Sequence, residues 1–356
     1  MKIALLNLLY DNNYGGNLQR YALMNVLQEM GHEVTHLNCR RVSKDPYIIV
    51  KAYLRRVFTT ILRFFPDMTV SKALINQYGN PFAESDAFYK KYIKHTRIIS
   101  NKMALKHYLD YDVYVVGSDQ VWRKEYMKWG METYFFDYLP DNKTKIAYSV
   151  SLGSENEEYT TEDIEQLTPL YKKFKAVSVR EKSALDILRN RSWDTPKPVL
   201  TLDPTLLLPR EKYLNIIDGN KTRAPKGDMF IYVLDKTEEV EDVIKKYNLD
   251  ADYKPNSLAL GTRNLESVPQ WLRNFRDAKC VITDSYHGFV FSIIFNKPFF
   301  LVVNEQRGSA RFVSLLNLLG LKPNSLGLQQ EDWIKVNKII ENLRTQSIGF
   351  IEKSLA

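Results

Sequence analysis

Apolar and polar positions divide the chain into short buried runs, polar loops and helical repeats. Residues 2–9 form a nearly continuous apolar run, as expected of a parallel strand covered on both faces. A polar loop follows at 10–16, and Leu18, Tyr21, Ala22, Val26 and Leu27 then recur at helical spacing until Gly31. With a strand at 33–37, this is the strand–loop–helix–strand unit that opens a doubly wound sheet. The alternation predicts further strands at 113–116, 145–151, 176–179 and 199–202, and a helix at 181–189.

A second series begins near Asp228, with strands at 229–234, 279–283 and 299–303 and helices at 238–247, 268–276 and 287–295. Residues 205–227, flanked or interrupted by Pro204, Pro209, Gly219, Pro225 and Gly227, read as a hinge. The expected architecture is α/β, with two Rossmann-like doubly wound domains facing across a cleft. The first spans 1–205 and carries an insertion at about 40–105; the second spans 206–356.

Composition narrows the class. The chain has 356 residues, 44% of them hydrophobic, which suits two globular domains without low-complexity tracts. Its two cysteines, Cys39 and Cys280, end apolar runs and read as buried thiols, in keeping with a reducing cytoplasm. No Cys/His cluster has zinc-like spacing, so no metal is expected. The first apolar run stops at Asp11, too early for a signal peptide, and the run at 288–303 is interrupted by Lys297-Pro298, so it is no membrane span. The net charge of +8 favours anionic partners, but no nucleic-acid-binding signature accompanies it, and none is expected.

The most informative segment is 281–289, VITDSYHGF, where a strand ends in a polar loop and a helix starts at His287-Gly288. Free N–H groups at a helix start favour phosphate or carboxylate, and His287 there can bind an oxyanion or deliver a proton. Capping by Asp284 or Ser285, with His287 at the surface, is the competing reading. TDSYHG followed by FVFSIIFNKPFF resembles the signature of the polysaccharide pyruvyl transferase family. NNYGGNLQRYAL (12–23), VVGSDQVWR (115–123), AYSVSLG (147–153), VSVREKSALDIL (177–188), LDPTLLL (202–208) and ARFVSLLNLLGL (310–321) match in the family's order. The resemblance spans most of the chain, except about 40–105 and the last 30 residues.

The resemblance implies the fold of B-type glycosyltransferases and a reaction in which phosphoenolpyruvate, as co-substrate and without a further cofactor, forms a pyruvate ketal on a sugar. Such a donor carries a carboxylate and a phosphate, and its site requires fixed cations. Arg180, just past a strand, is the expected carboxylate fork, with Ser285, His287, Gly288 and Arg311 on the same donor; salt bridging of Arg180 and solvation of Arg311 are the plainer readings. Asn13, Tyr14, Gly15, Gly16 and Asn17 are assigned to the acceptor, with Trp122 as a stacking surface, although a plain turn and a core indole compete. Asp119 is the candidate base for a sugar hydroxyl or else a helix cap, and the donor's proton comes from Asp119, Asp284 or His287. Asp203, before Pro204, reads as a structural turn residue.

The alternative enzyme is a nucleotide-sugar glycosyltransferase, for which Asp284 or Glu305 would hold the donor ribose. Within the insertion, 47–65 reads YIIVKAYLRRVFTTILRFF, with Lys51, Arg55, Arg56 and Arg63 and no acid among aromatic-rich apolar residues. A helix of that kind suits the inner face of an anionic membrane, where a lipid-linked saccharide would be met, or else packs on the domain with its basic side in water.

Overall fold

The computed structural model describes residues 1–41, 83–154, 156, 158–191, 193–235, 255–259, 266–302 and 308–356, with single helical positions within 50–61 and 238–245. The expected helix at 238–247 lies largely outside the described residues, as does Glu305.

The first sheet contains β1 (Lys2–Leu6), β2 (Glu33–His36), β3 (Val113–Val116), β4 (Thr144–Val150), β5 (Ala176–Val179) and β6 (Val199–Leu200), in the order β2-β1-β3-β4-β5-β6. Every pairing is parallel. The strands are buried on both faces, which is why they read as unbroken apolar runs rather than alternating ones. The helix α1 (Tyr14–Glu29) crosses from β1 to β2, and Asn13 caps it by accepting from the Gly16 N–H at 2.9 Å.

The second sheet contains β7 (Met229–Val233), β8 (Pro255–Ala259), β9 (Cys280–Thr283) and β10 (Phe299–Leu301), all parallel, in the order β10-β9-β7-β8. Each sheet thus reverses its winding once, between β1 and β3 and between β7 and β9. A crevice opens beyond the strand ends at such a reversal. The loops that follow these four strands carry most of the candidate site.

Three features depart from the sequence expectation. The segment read as a hinge contains a packed helix, α5 (Arg210–Asp218), with Tyr213, Ile216 and Ile217 buried. β8 was not anticipated, because its PNSLA sequence has no β-branched run. The long C-terminal helix α9 (Gln330–Leu355) returns to the first sheet instead of completing the second domain. Ser347 Oγ accepts from the Leu202 N–H at 3.0 Å, Arg344 Nε donates to the Leu206 carbonyl at 2.9 Å, and Phe350 lies 6.2 Å from the Tyr148 ring.

Candidate active site

Beyond the two reversal points lies a cavity of about 540 Å³. Its first-domain wall includes Tyr10, Asp11, Asn13, Gly16, Arg20, Asp119 and Gln120, and its second-domain wall Asp284, Ser285, Tyr286, His287 and Arg311.

The second-domain wall is organised by α7 (Tyr286–Ile294). Ser285 caps this helix, accepting from the Gly288 N–H at 3.3 Å, and its own N–H reaches Thr283 Oγ1 at 3.0 Å. The first-turn N–H groups, which lack partners within a helix, therefore sit at the cavity. Gly288 is not among the residues that line the cavity. A Cβ there would lie 2.2 Å from Thr283 Oγ1, so glycine lets the helix pack on β9 and Tyr232. Asp284 accepts from the backbone N–H groups of Leu234 at 2.6 Å and Asp235 at 2.9 Å, joining the ends of β7 and β9.

Behind the cavity lies a buried network of charges. Arg180 Nη1 donates to Asp203 Oδ2 at 2.7 Å, and His287 Nε2 lies 3.6 Å from the same oxygen. Two residues from different domains, far apart in sequence, thereby approach one carboxylate, Arg180 by a hydrogen bond and His287 by proximity. Asp203 is more than the turn residue its sequence position suggests: Oδ2 joins the domains, while Oδ1 accepts from the Thr205 N–H and hydroxyl. Burial would raise the Asp203 carboxyl, but the His287 contact and the Arg180 charge hold it well below the carboxylate range. Arg180 also reaches Asp119 Oδ1, at 3.5 Å, and its guanidinium packs on the Tyr286 ring at 4.6 Å, with Arg311 on that ring at 5.2 Å. Arg180 thus stands behind the cavity wall, whereas Arg311, on α8 (Ala310–Leu319), forms part of it. Burial, then the neighbouring Arg180, push the Arg311 guanidinium down to about 10, which leaves it a cation at neutral pH.

Asp119 occupies the loop after β3 with a left-handed φ of 80°, a conformation that Asp tolerates better than most residues. Its oxygens accept from the Gln120 N–H at 2.9 Å and from Gln19 Nε2 at 3.0 Å. Burial would raise this carboxyl, but Arg180, His287 and Arg311 outweigh it and hold it below its ordinary value. Asp119 is therefore ionised at neutral pH.

The first-domain loop separates the residues assigned to an acceptor. Asn13 and Gly16 face the cavity. Gly15 packs directly under His287, where a Cβ would stand 2.0 Å from Nδ1. Tyr14 is a joint between domains: its ring stacks on Trp271 at 5.2 Å, and its hydroxyl donates to the Glu266 carbonyl at 2.7 Å. Asn17 is wholly buried outside the cavity wall. Trp122 offers no surface to a sugar, because it is buried, stacks on Phe135 at 4.5 Å and donates Nε1 to the Tyr134 carbonyl. Two residues escaped the sequence reading. Gln19 orients Asp119, and Arg20 enters the cavity wall from the same helix.

The family model for polysaccharide pyruvyl transferase matches residues 13–306, a span that contains Arg180, Asp203 and His287. The chain belongs to the polysaccharide pyruvyl transferase family. No curated protein matches it in sequence. Among solved structures, the UDP-GlcNAc 2-epimerase from Neisseria meningitidis bound to UDP-GlcNAc is similar at 9% identity and a TM-score of 0.46, covering 100% of this chain and 99% of that one. An α-glucosyltransferase in complex with UDP-glucose and DNA is similar at 8% identity and a TM-score of 0.44, covering 98% of this chain and 94% of that one. In this pyruvyl transferase family member the cavity combines Arg311 and the start of a helix on one wall with the Asp119 carboxylate on the other. That arrangement can hold an oxyanion and deprotonate a neighbouring hydroxyl.

Proposed function

We propose that the protein transfers pyruvate from phosphoenolpyruvate to two hydroxyls of one sugar in a surface or capsular polysaccharide precursor, forming a cyclic ketal and releasing phosphate. The observation that carries this reading is the shared Asp203 oxygen, which draws Arg180 and His287 to one place behind a cavity faced by Arg311. Arg311 and the first turn of α7 bind the donor's anionic groups, and Arg180 adds a positive field from behind through Tyr286.

These positions suit the following steps. The donor methylene gains a proton, which leaves an electron-poor C2 stabilised by its ether oxygen. His287 delivers that proton; its position at the start of α7 on the cavity wall supports this role. A sugar hydroxyl, deprotonated by Asp119, forms a bond to C2; the C2–O bond to phosphate breaks, and phosphate departs with its electron pair. A second hydroxyl closes the ring, and the two hydroxyl protons are accounted for by the new methyl group and the phosphate.

The acceptor is a saccharide on a lipid carrier, met at the inner face of an anionic membrane. Supporting this, Val50, Tyr53, Leu54, Val57 and Ile61 are 40–65% exposed at helical spacing, among residues whose sequence carries four cations and no acid. The cations Lys51, Arg55, Arg56 and Arg63 lie outside the described residues. Among the described residues, no helix is long and apolar enough to cross a membrane.

The test is incubation of the full chain with phosphoenolpyruvate and a panel of lipid-linked saccharides, read by phosphate release and product mass. A product heavier by one condensed pyruvate, formed with stoichiometric phosphate, is expected. Turnover of a nucleotide sugar, with phosphoenolpyruvate inert, would overturn the reading. Co-sedimentation with anionic vesicles that survives removal of the four cations would overturn the membrane part alone.

A further inference from the structure

Glu181 follows Arg180 at the end of β5 and is 0% exposed, yet its side chain neither caps the helix it precedes, Lys182–Asn190, nor lines the cavity. It turns instead to the loop after β4. Oε1 accepts from Ser151 Oγ at 2.9 Å and from the N–H groups of Leu152 at 2.9 Å and Gly153 at 3.1 Å. A carboxylate shut away from water needs such donors, and their convergence on one oxygen holds residues 151–153 in one shape. That loop in turn grips the segment that carries Asp119. The Ser151 N–H donates to the Asp119 carbonyl at 2.9 Å, and the Ser151 carbonyl accepts from the Trp122 N–H at 3.3 Å. A Cβ on Gly153 would stand 2.6 Å from Nε2 of Gln120, a residue of the first-domain wall. On the other side, a Cβ on Gly308 would meet the Gly153 carbonyl oxygen at 2.0 Å, so the second domain touches the same loop three residues before Arg311.

We propose that Glu181 is a positioning residue, which through the 151–153 loop sets where the Asp119 carboxylate stands relative to the Arg311 wall. Its bearing on a proton transfer at Asp119 rests on the reading above; its grip on the loop does not. Misplacement of a reacting group by about 1 Å can cost about 100-fold in rate, so a residue that touches no substrate can still govern turnover. The effect falls on kcat more than on donor binding. Arg311 lies on α8, which is tied to the first domain by the Lys182 N–H donating to Ser314 Oγ at 3.1 Å, and that backbone donor survives substitution at Glu181.

Variants of the full chain test this, read by turnover per folded chain and by amide hydrogen exchange. E181Q keeps an acceptor oxygen in the same place, and its kcat should stay within about threefold of the unsubstituted protein. E181D and E181A withdraw that oxygen and should lower kcat about tenfold to 100-fold, with phosphoenolpyruvate affinity changed less than about threefold. In these two variants exchange over 117–123 and 151–153 should quicken about tenfold or more, while exchange in β1 stays as it was. If E181A fails to fold, E181D carries the comparison. A carboxylate with a merely structural role would lower the unfolding midpoint and leave kcat per folded chain unchanged. That result overturns the proposal, as does unchanged exchange in the two segments, or an E181Q as slow as E181D. Should phosphoenolpyruvate not be turned over by the unsubstituted protein, the donor assignment fails, and the exchange comparison alone decides whether Glu181 holds the loop.

Discussion

Arg180 and Arg20 are both buried arginines beside one cavity, and they are satisfied in opposite ways. Arg180 is engaged by Asp203 and Asp119 through its Nη atoms and packed on Tyr286, so the protein itself supplies its counter-charges, although its Nε has no hydrogen-bond partner. Arg20 has one backbone carbonyl and two idle donors. The difference separates a cation paired within the fold from one held mainly by packing. A pre-paired cation can shape the field around a reaction without moving.

The comparison is broken most severely at Asp203. D203A leaves a buried arginine without its partner and should cost about 3–5 kcal/mol of stability, measured by denaturant unfolding. A loss below 1 kcal/mol would mean that Arg180 is not held as described. The same pair sets a pH dependence. The Asp203 and Asp119 carboxyls both lie below their ordinary values in the folded chain, so the unfolded chain takes up protons first as pH falls. Their stabilisation should be complete above about pH 4 and be lost progressively below it, as acid titration of the unfolding free energy will show. In D203N that acid-side loss should shrink.

H287Q should lower turnover about 100-fold or more while the fold is kept, because the proposed proton donor is replaced by a group that cannot transfer one. Near-normal turnover removes His287 from the mechanism. G15A tests the packing between domains: the added methyl must displace the His287 ring, and overpacking of this kind should cost about 1–3 kcal/mol together with a fall in turnover. The smallest effect belongs to Y14F, which removes only the hydrogen bond to the Glu266 carbonyl. It should cost about 1 kcal/mol and leave the acceptor KM unchanged, in keeping with a joint instead of a binding residue.

Most of the fold was legible because fully buried parallel strands leave unbroken apolar runs, as at Val113–Val116 and Ala176–Val179. β8 was not, since it has no such run, and α5 was hidden among prolines and glycines that cap elements as readily as they break them. The segment containing His287 could be read because strand, loop and helix start are contiguous. Asp203 could not, because its partners lie at Arg180 and His287, and nothing local announces them. Arg20 was obscured for a different reason. A polar residue in a helical repeat is taken to face water, and only the packed loop over α1 reveals that this one does not. Trp122 and Tyr14 erred the other way, since an aromatic residue in a glycine-bearing loop suits a ligand or a core equally well from sequence.

A crystal structure of the full chain with phosphoenolpyruvate bound is the most direct measurement. The donor is expected in the cavity, its anionic groups on Arg311 and the first turn of α7, its methylene toward His287, and the Arg180–Asp203 pair intact behind it. Density for the donor elsewhere, or an Arg180 that abandons Asp203 to reach it, would contradict the division between a fixed arginine and a ligand-ready wall.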